Sequence, residues 1–276
     1  LHNVEFRYLP SSRGKKIFLA HYTSLTPNTR HSLQAVILAP PFGEEMNRSK
    51  RMFVLCARQL ANLGFHAICF DYAGTGDSEG DWEEFGYVDW QQNLKDVCEY
   101  AYRQELCEVG LIALRLGAPL AAKLLAEKEL HIKHCVFWDP IENGQDFFRQ
   151  LMRTKLVAEM AVGGEKKTTK EFLDELELVG HIEIGGYCIT KSLAAELNNI
   201  KLSDSFPTLL QCTNLDWLQI NSSASNNACM PSSISESIQR KVAFSTVEDI
   251  KFWMQQEVTL APNLLIKTCD IFNHAM

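Results

Sequence analysis

Short apolar runs separated by amphipathic stretches recur along the chain, the strand–helix alternation that predicts a largely parallel sheet covered on both faces. VEFRYLP and KIFLAHY predict an opening strand pair. AVILAP, at 35 to 40, is continuously apolar and stopped by Pro40 and Pro41, as a buried parallel strand is. NRSKRMFVLCARQLANLG predicts a helix closed by Gly64 at its C-terminal cap. FHAICFDYAGTGDSEG reads as a strand running into a Gly-rich turn, followed by a helix around VDWQQNLKDVCEYAYRQ. VGLIALRLGAPLAAKLLAEKE repeats the unit as a strand, a sharp turn at Leu114 to Leu116 and an Ala/Leu-rich helix; HCVFWDP is a strand ended by Asp139 and Pro140.

The pattern then changes. From Ile141 to about Leu202 the sequence is helical and mixed, which predicts an insertion that covers the sheet's carboxyl edge as a cap. Strands are expected to resume at FPTLLQCTN and KVAFSTV, with a last helix beginning near VEDIKFWMQQE and a loop at NSSASNNACMPSSIS. No repeat of fixed period is visible, so the expectation is one domain over residues 1–276 with the insertion at about 141–202.

Composition narrows the classes. With 276 residues, 46% of them hydrophobic, the chain can bury one large core. A net charge of -7, without a basic stripe, argues against nucleic acid as a partner. The nine cysteines form no CxxC pair and several sit in apolar runs, which favours reduced thiols and a cytoplasmic protein. No apolar run approaches the ~18 residues of a membrane span, and the first residues carry no signal-peptide core. No His/Asp/Glu spacing suits a metal, and no cofactor is expected; the oligomeric state is not readable.

In open parallel sheets ligands sit beyond the carboxyl ends of the strands, which here means PFGEEMN, DYAGTGDS, RLGA, DP and TNLD. FDYAGTGDSEG has the spacing DxxGxGxS and resembles a turn of the α/β-hydrolases, although Gly74, Gly76 and Ser78 are read first as shaping the turn. No GK[ST] follows it, so it is not a phosphate loop. Ala113-Leu114-Arg115-Leu116-Gly117 stands where those proteins carry the GxSxG nucleophile elbow. Arg115 cannot attack an acyl carbon, because its guanidinium stays protonated. No His follows KVAFSTV as a base, and His274 is too near the end of the chain. Asp216, after TLLQC, is a candidate acid or a loop or helix-cap carboxylate. Glu44, Glu45 and Asn47 follow Phe42 on the rim beside the elbow; an adjacent Glu pair is usually a solvated turn, yet a glutamate here can pair with Arg115. The aromatics Phe147, Phe148, Tyr187, Trp217 and Trp253 read as core packing ahead of an acyl cleft.

PPFGEEMNRSKR, FDYAGTGDSEG, LIALRLGAPLA, GGYCIT and FWMQQEVTLAPNLL together resemble the bacterial exosortase A system-associated hydrolase 2 family, over most of the chain. The resemblance implies an α/β-hydrolase fold, a mostly parallel central sheet with helices on both faces, in which an Arg at the elbow belongs to the pattern. It also implies a setting in exopolysaccharide production and exosortase-mediated sorting. Two functions follow. One is a hydrolase in which Glu45 or Glu44 activates water while Arg115, the Leu116 N–H and the Phe42 loop hold the substrate. The other is a binding or scaffold protein that grips a small-molecule, acyl- or saccharide-derived or anionic ligand at Arg115. Phe42, Asn47, Leu116, Asp139 and Asp216 are the candidate ligand contacts in either case.

Overall fold

The computed structural model describes residues 2–25, 30–161, 167–222, 230 and 234–276. Strands β1 (His2–Pro10) and β2 (Lys16–Ser24) open the chain. Then β3 (Gln34–Ala39), α1 (Gly43–Leu63), β4 (His66–Phe70), α2 (Tyr87–Arg103), β5 (Glu108–Leu114), α3 (Gly117–Ala126) and β6 (Ile132–Trp138) follow. The segment after β6 carries α4 (Gly144–Ala161), α5 (Thr169–Val179), a hairpin of β7 (His181–Ile184) and β8 (Tyr187–Thr190), α6 (Lys191–Asn198) and α7 (Phe206–Leu209). The sheet resumes with β9 (Asn214–Asn221), α8 (Glu236–Gln239) and β10 (Ala243–Glu248), and α9 (Pro262–Ala275) ends the chain.

Eight strands form one sheet in the order β1-β2-β4-β3-β5-β6-β9-β10, parallel except for the antiparallel β1–β2 and β2–β4 pairs. β3 is buried at every position because both of its faces are covered, which is why AVILA reads as an unbroken apolar run. One apolar cluster packs α2 and α3 on one face of the sheet, and a second packs α1 and α9 on the other. The chain passes from β3 to β4 on one side and returns to β5 on the other. The crevice between β3 and β5 is therefore the topological switch point, where ligands of open sheets bind.

Four expectations change. Glu44 and Glu45 are not in a loop, because α1 begins at Gly43 and they form its first turn. FPTLLQ is not a strand: Pro207 starts a short helix, and Phe206 and Leu209 are buried at helical spacing. The strand is NLDWLQIN, further along. The last helix starts not near Val247 but at Pro262; Phe252–Met254 is only a single tight turn. Between 141 and 202 the hairpin β7–β8, turned by Gly185 and Gly186 in left-handed conformation (φ 59° and 83°), interrupts the expected helices. The loop expected at 221–235 falls largely on 223–229 and 231–233, outside the described residues. No helix among the described residues is long and apolar enough to cross a membrane.

Candidate functional site

Sheet register builds the site. Leu114 pairs with Trp138 and Trp138 with Leu218, so Arg115, Asp139 and Gln219 stand side by side one position beyond. Arg115 (φ 52°) and Asp139 (φ 44°) both adopt left-handed backbone, a conformation that costs a side-chain-bearing residue about 1–3 kcal/mol and persists only where neighbours enforce it. The enforcement is visible. The Arg115 N–H donates to the Trp138 carbonyl, and its own carbonyl accepts from Ala118 and Ile141. Gly117 then lets α3 press against β3: a Cβ there would lie 2.6 Å from the Ala39 carbonyl oxygen. The strained strand-to-helix elbow is intact, with Arg115 at its apex.

Arg115 is buried, with 8% of its surface exposed. Its Nε donates to Glu45 at 3.3 and 3.4 Å, and its Nη1 to the Asp139 carboxylate at 3.4 Å and carbonyl at 3.3 Å. Asp139 also holds Lys251 Nζ at 3.1 Å and accepts from Gln219 Nε2. Two carboxylates and two cations thus close a network of zero formal charge. The α3 N-terminus repels the Arg115 charge, which Asp139 and Glu45 offset, while the α1 N-terminus is already faced by its own Glu44 and Glu45. Burial pushes the Glu45 carboxyl above the usual carboxylate range, against the Arg115 charge that pulls it down. The Trp253 ring lies 5.6 Å from the guanidinium carbon, a cation–π contact.

Glu44 turns outward to Arg48 and Asn47; Asn47 also donates to the Tyr187 hydroxyl at 2.8 Å, tying α1 to the hairpin. Phe42 is the N-cap of α1 and packs edge-on against Trp82, Trp90 and Phe147. Leu116 is the N-cap of α3, beside Arg115. Asp216 is the exception: it lies near the amino end of β9 and accepts from His134 at 2.7 Å, away from the crevice. The Gly-rich turn is structural, since Ser78 donates to the Asp71 carbonyl and accepts from Phe18 N–H, and the Asp71 carboxylate fills the space a Gly76 side chain would need. His274 bonds the Asp270 carbonyl within α9.

Lys251 and Gln219 escaped sequence reading. In chain order the residues joined through the Asp139 carboxylate are Arg115, Asp139 and Lys251. Lys251 would have been found had the stretch after KVAFSTV been recognised as a loop rather than a helix. Two cavities flank the network. A cleft of about 370 Å³ is lined by Arg115, Asn143, Asp146, Gln150, Lys201 and Ser203 among others. A groove of about 260 Å³ is lined by Glu45, Leu151, Ile184, Tyr187, Ile189 and Trp253. Phe147 and Gln150 border both.

Solved structures similar to this chain include esterases and an α/β-hydrolase domain-containing protein. A ferulic-acid-bound esterase, Est1E of Butyrivibrio proteoclasticus, is 14% identical over 98% of each chain, with a TM-score of 0.67. The esterase domain of a Rhodothermus marinus protein is 15% identical over 98% of this chain and 96% of its own, with a TM-score of 0.60. A mouse α/β-hydrolase domain-containing protein is 13% identical over 98% of each chain, with a TM-score of 0.56. No protein-family model and no curated protein sequence matches the chain. The fold is therefore the α/β-hydrolase fold.

Proposed function

We propose that this chain is a ligand-binding member of the α/β-hydrolase fold, in which the elbow and crevice hold a small molecule without forming an acyl-enzyme. One observation carries the reading. At the elbow apex stands Arg115, bound to Glu45 and Asp139, with Lys251 on the same Asp139, so no nucleophile faces a free base. The segment 141–202 acts as a cap, since it supplies most of the cleft and part of the groove. Arg115 and Lys201 balance Glu142 and Asp146 in the cleft, beside the hydrogen-bonding Asn143, Gln150 and Ser203. That lining suits a neutral, hydroxyl-rich group such as a saccharide, and the groove suits an acyl or alkyl chain. The expected ligand is acyl- or saccharide-derived rather than anionic. The resemblance in sequence supports a setting in exopolysaccharide and exosortase systems, and the eight described cysteines, all free, support a cytoplasmic one.

A second reading rests on Glu45. A carboxyl held protonated to higher pH by burial is suited to general acid–base work, so Glu45 would activate water for ester hydrolysis beside Arg115. A panel of p-nitrophenyl carboxylate and phosphate esters, run on the parent, Arg115→Ala and Glu45→Gln, separates the two. Turnover at the buffer rate in all three, with tryptophan fluorescence of the parent titrated by octyl glucoside, is the expected result. Parent turnover abolished by both changes would replace binding with a non-serine hydrolase.

A further inference from the structure

We infer that this protein self-associates through the outer edge of β1, pairing it antiparallel with β1 of a second copy about a two-fold axis at Phe6. β1 is nine residues long and terminates the sheet, and among the described residues no strand pairs with its outer side. A long exposed edge is a template for strand addition unless it is blunted by proline, inward charge, bulge or covering element. The register of β1 with β2 is unbroken, its proline, Pro10, comes last, and its two charges, Glu5 and Arg7, pair with each other. The opposite edge, β10, has six residues.

The side chains of β1 favour one partner, another β1. Val4, Phe6 and Tyr8 share one face, with Phe6 67% and Tyr8 57% exposed and both rings against Phe18. Asn3, Glu5, Arg7 and Leu9 share the other, with Glu5 and Arg7 ion-paired at the surface. With Phe6 opposite its own copy, Val4 meets Tyr8 of the second copy and Glu5 meets Arg7, twice over. A slip of two residues centres Glu5 on Glu5 or Arg7 on Arg7, and a slip of one sets the aromatic row against the charged row. Only the Phe6-centred register therefore joins ring to ring and acid to base, as an isologous contact requires. One strand pair and its aromatic stripe fall short of the roughly 1,200 Å² of a standard stable interface, so the dimer is weak and concentration-dependent. It would join two sheets of eight strands into one of sixteen. The crevice beyond Arg115 lies between β3 and β5, clear of this edge, so the association is independent of the function proposed above.

Sedimentation velocity over a dilution series tests this on the whole chain, with circular dichroism confirming that each variant folds. Expected is a mass rising from monomer toward dimer, Phe6→Lys shifting the midpoint at least about ten-fold to higher concentration. Glu5→Arg and Arg7→Glu singly weaken the dimer, and the double exchange restores it because each residue again faces its opposite. A monomer throughout, or a dimer indifferent to Phe6→Lys, overturns the edge contact. Failure of the double exchange to recover association overturns the register.

Discussion

Strands β6 and β9 carry an acid toward each end, half-buried Asp216 at one and buried Asp139 at the other, and the two ends behave differently. Near their amino ends Asp216 meets His134 at 2.7 Å, in unstrained strand backbone. Past their carboxyl ends Asp139 meets Arg115, Lys251 and Gln219, with left-handed backbone at two residues and a cleft opening over Arg115. Similar chemistry thus serves packing at one end and frames a crevice at the other. The strands' C-terminal loops, not the acid itself, make the difference.

The largest effect that tests this contrast is loss of either acid. Asp139→Ala leaves two cations without their shared carboxylate and is expected to cost about 3–5 kcal/mol, against about 1–3 kcal/mol for Asp216→Ala, which strands one histidine hydrogen bond. Urea denaturation of both variants measures it; equal losses would abolish the distinction.

Gly117→Ala comes next. Its Cβ meets the Ala39 and Pro40 carbonyl oxygens at 2.6 and 2.8 Å, so α3 must move, at about 1–3 kcal/mol. Because Gly117 adjoins the elbow, octyl glucoside binding should weaken with stability, whereas Asp216→Ala should leave binding unchanged in fluorescence titration.

The smallest effect is a sign. A carboxyl with a raised folded pKa binds a proton more readily when folded, so Glu45 lowers stability as pH rises above its ordinary value of 4.5. Glu45→Gln should remove that decline, seen as a parent-minus-variant difference that shrinks toward acid pH. His21, brought down to about 4 by burial beside His66, acts oppositely: stability rises with pH between about 4 and 6.5. It is common to parent and variant and cancels in the difference.

Much of this was legible because it rests on local pattern. The unbroken apolar run of β3, the Gly64 cap and the turn sequence after β5 fix each element by its own residues, whereas neighbouring strand ends offered both Glu44 and Glu45 to Arg115 and the structure sets Glu45 there. Legibility failed where local and tertiary preferences diverge. FPTLLQ is apolar enough for a strand, yet Pro207 and the Phe206–Leu209 spacing suit a helical turn against the core, and that shift displaced Asp216 and hid Gln219.

What the sequence determined by itself is the fold class and the permanent positive charge at the turn after β5, because strand periodicity and the chemistry of a guanidinium need no partner to be read. Only the tertiary structure decided that Asp139 rather than Asp216 faces Arg115, and that Lys251 closes the network. Register between strands far apart in sequence sets which side chains stand side by side, and no local pattern encodes it.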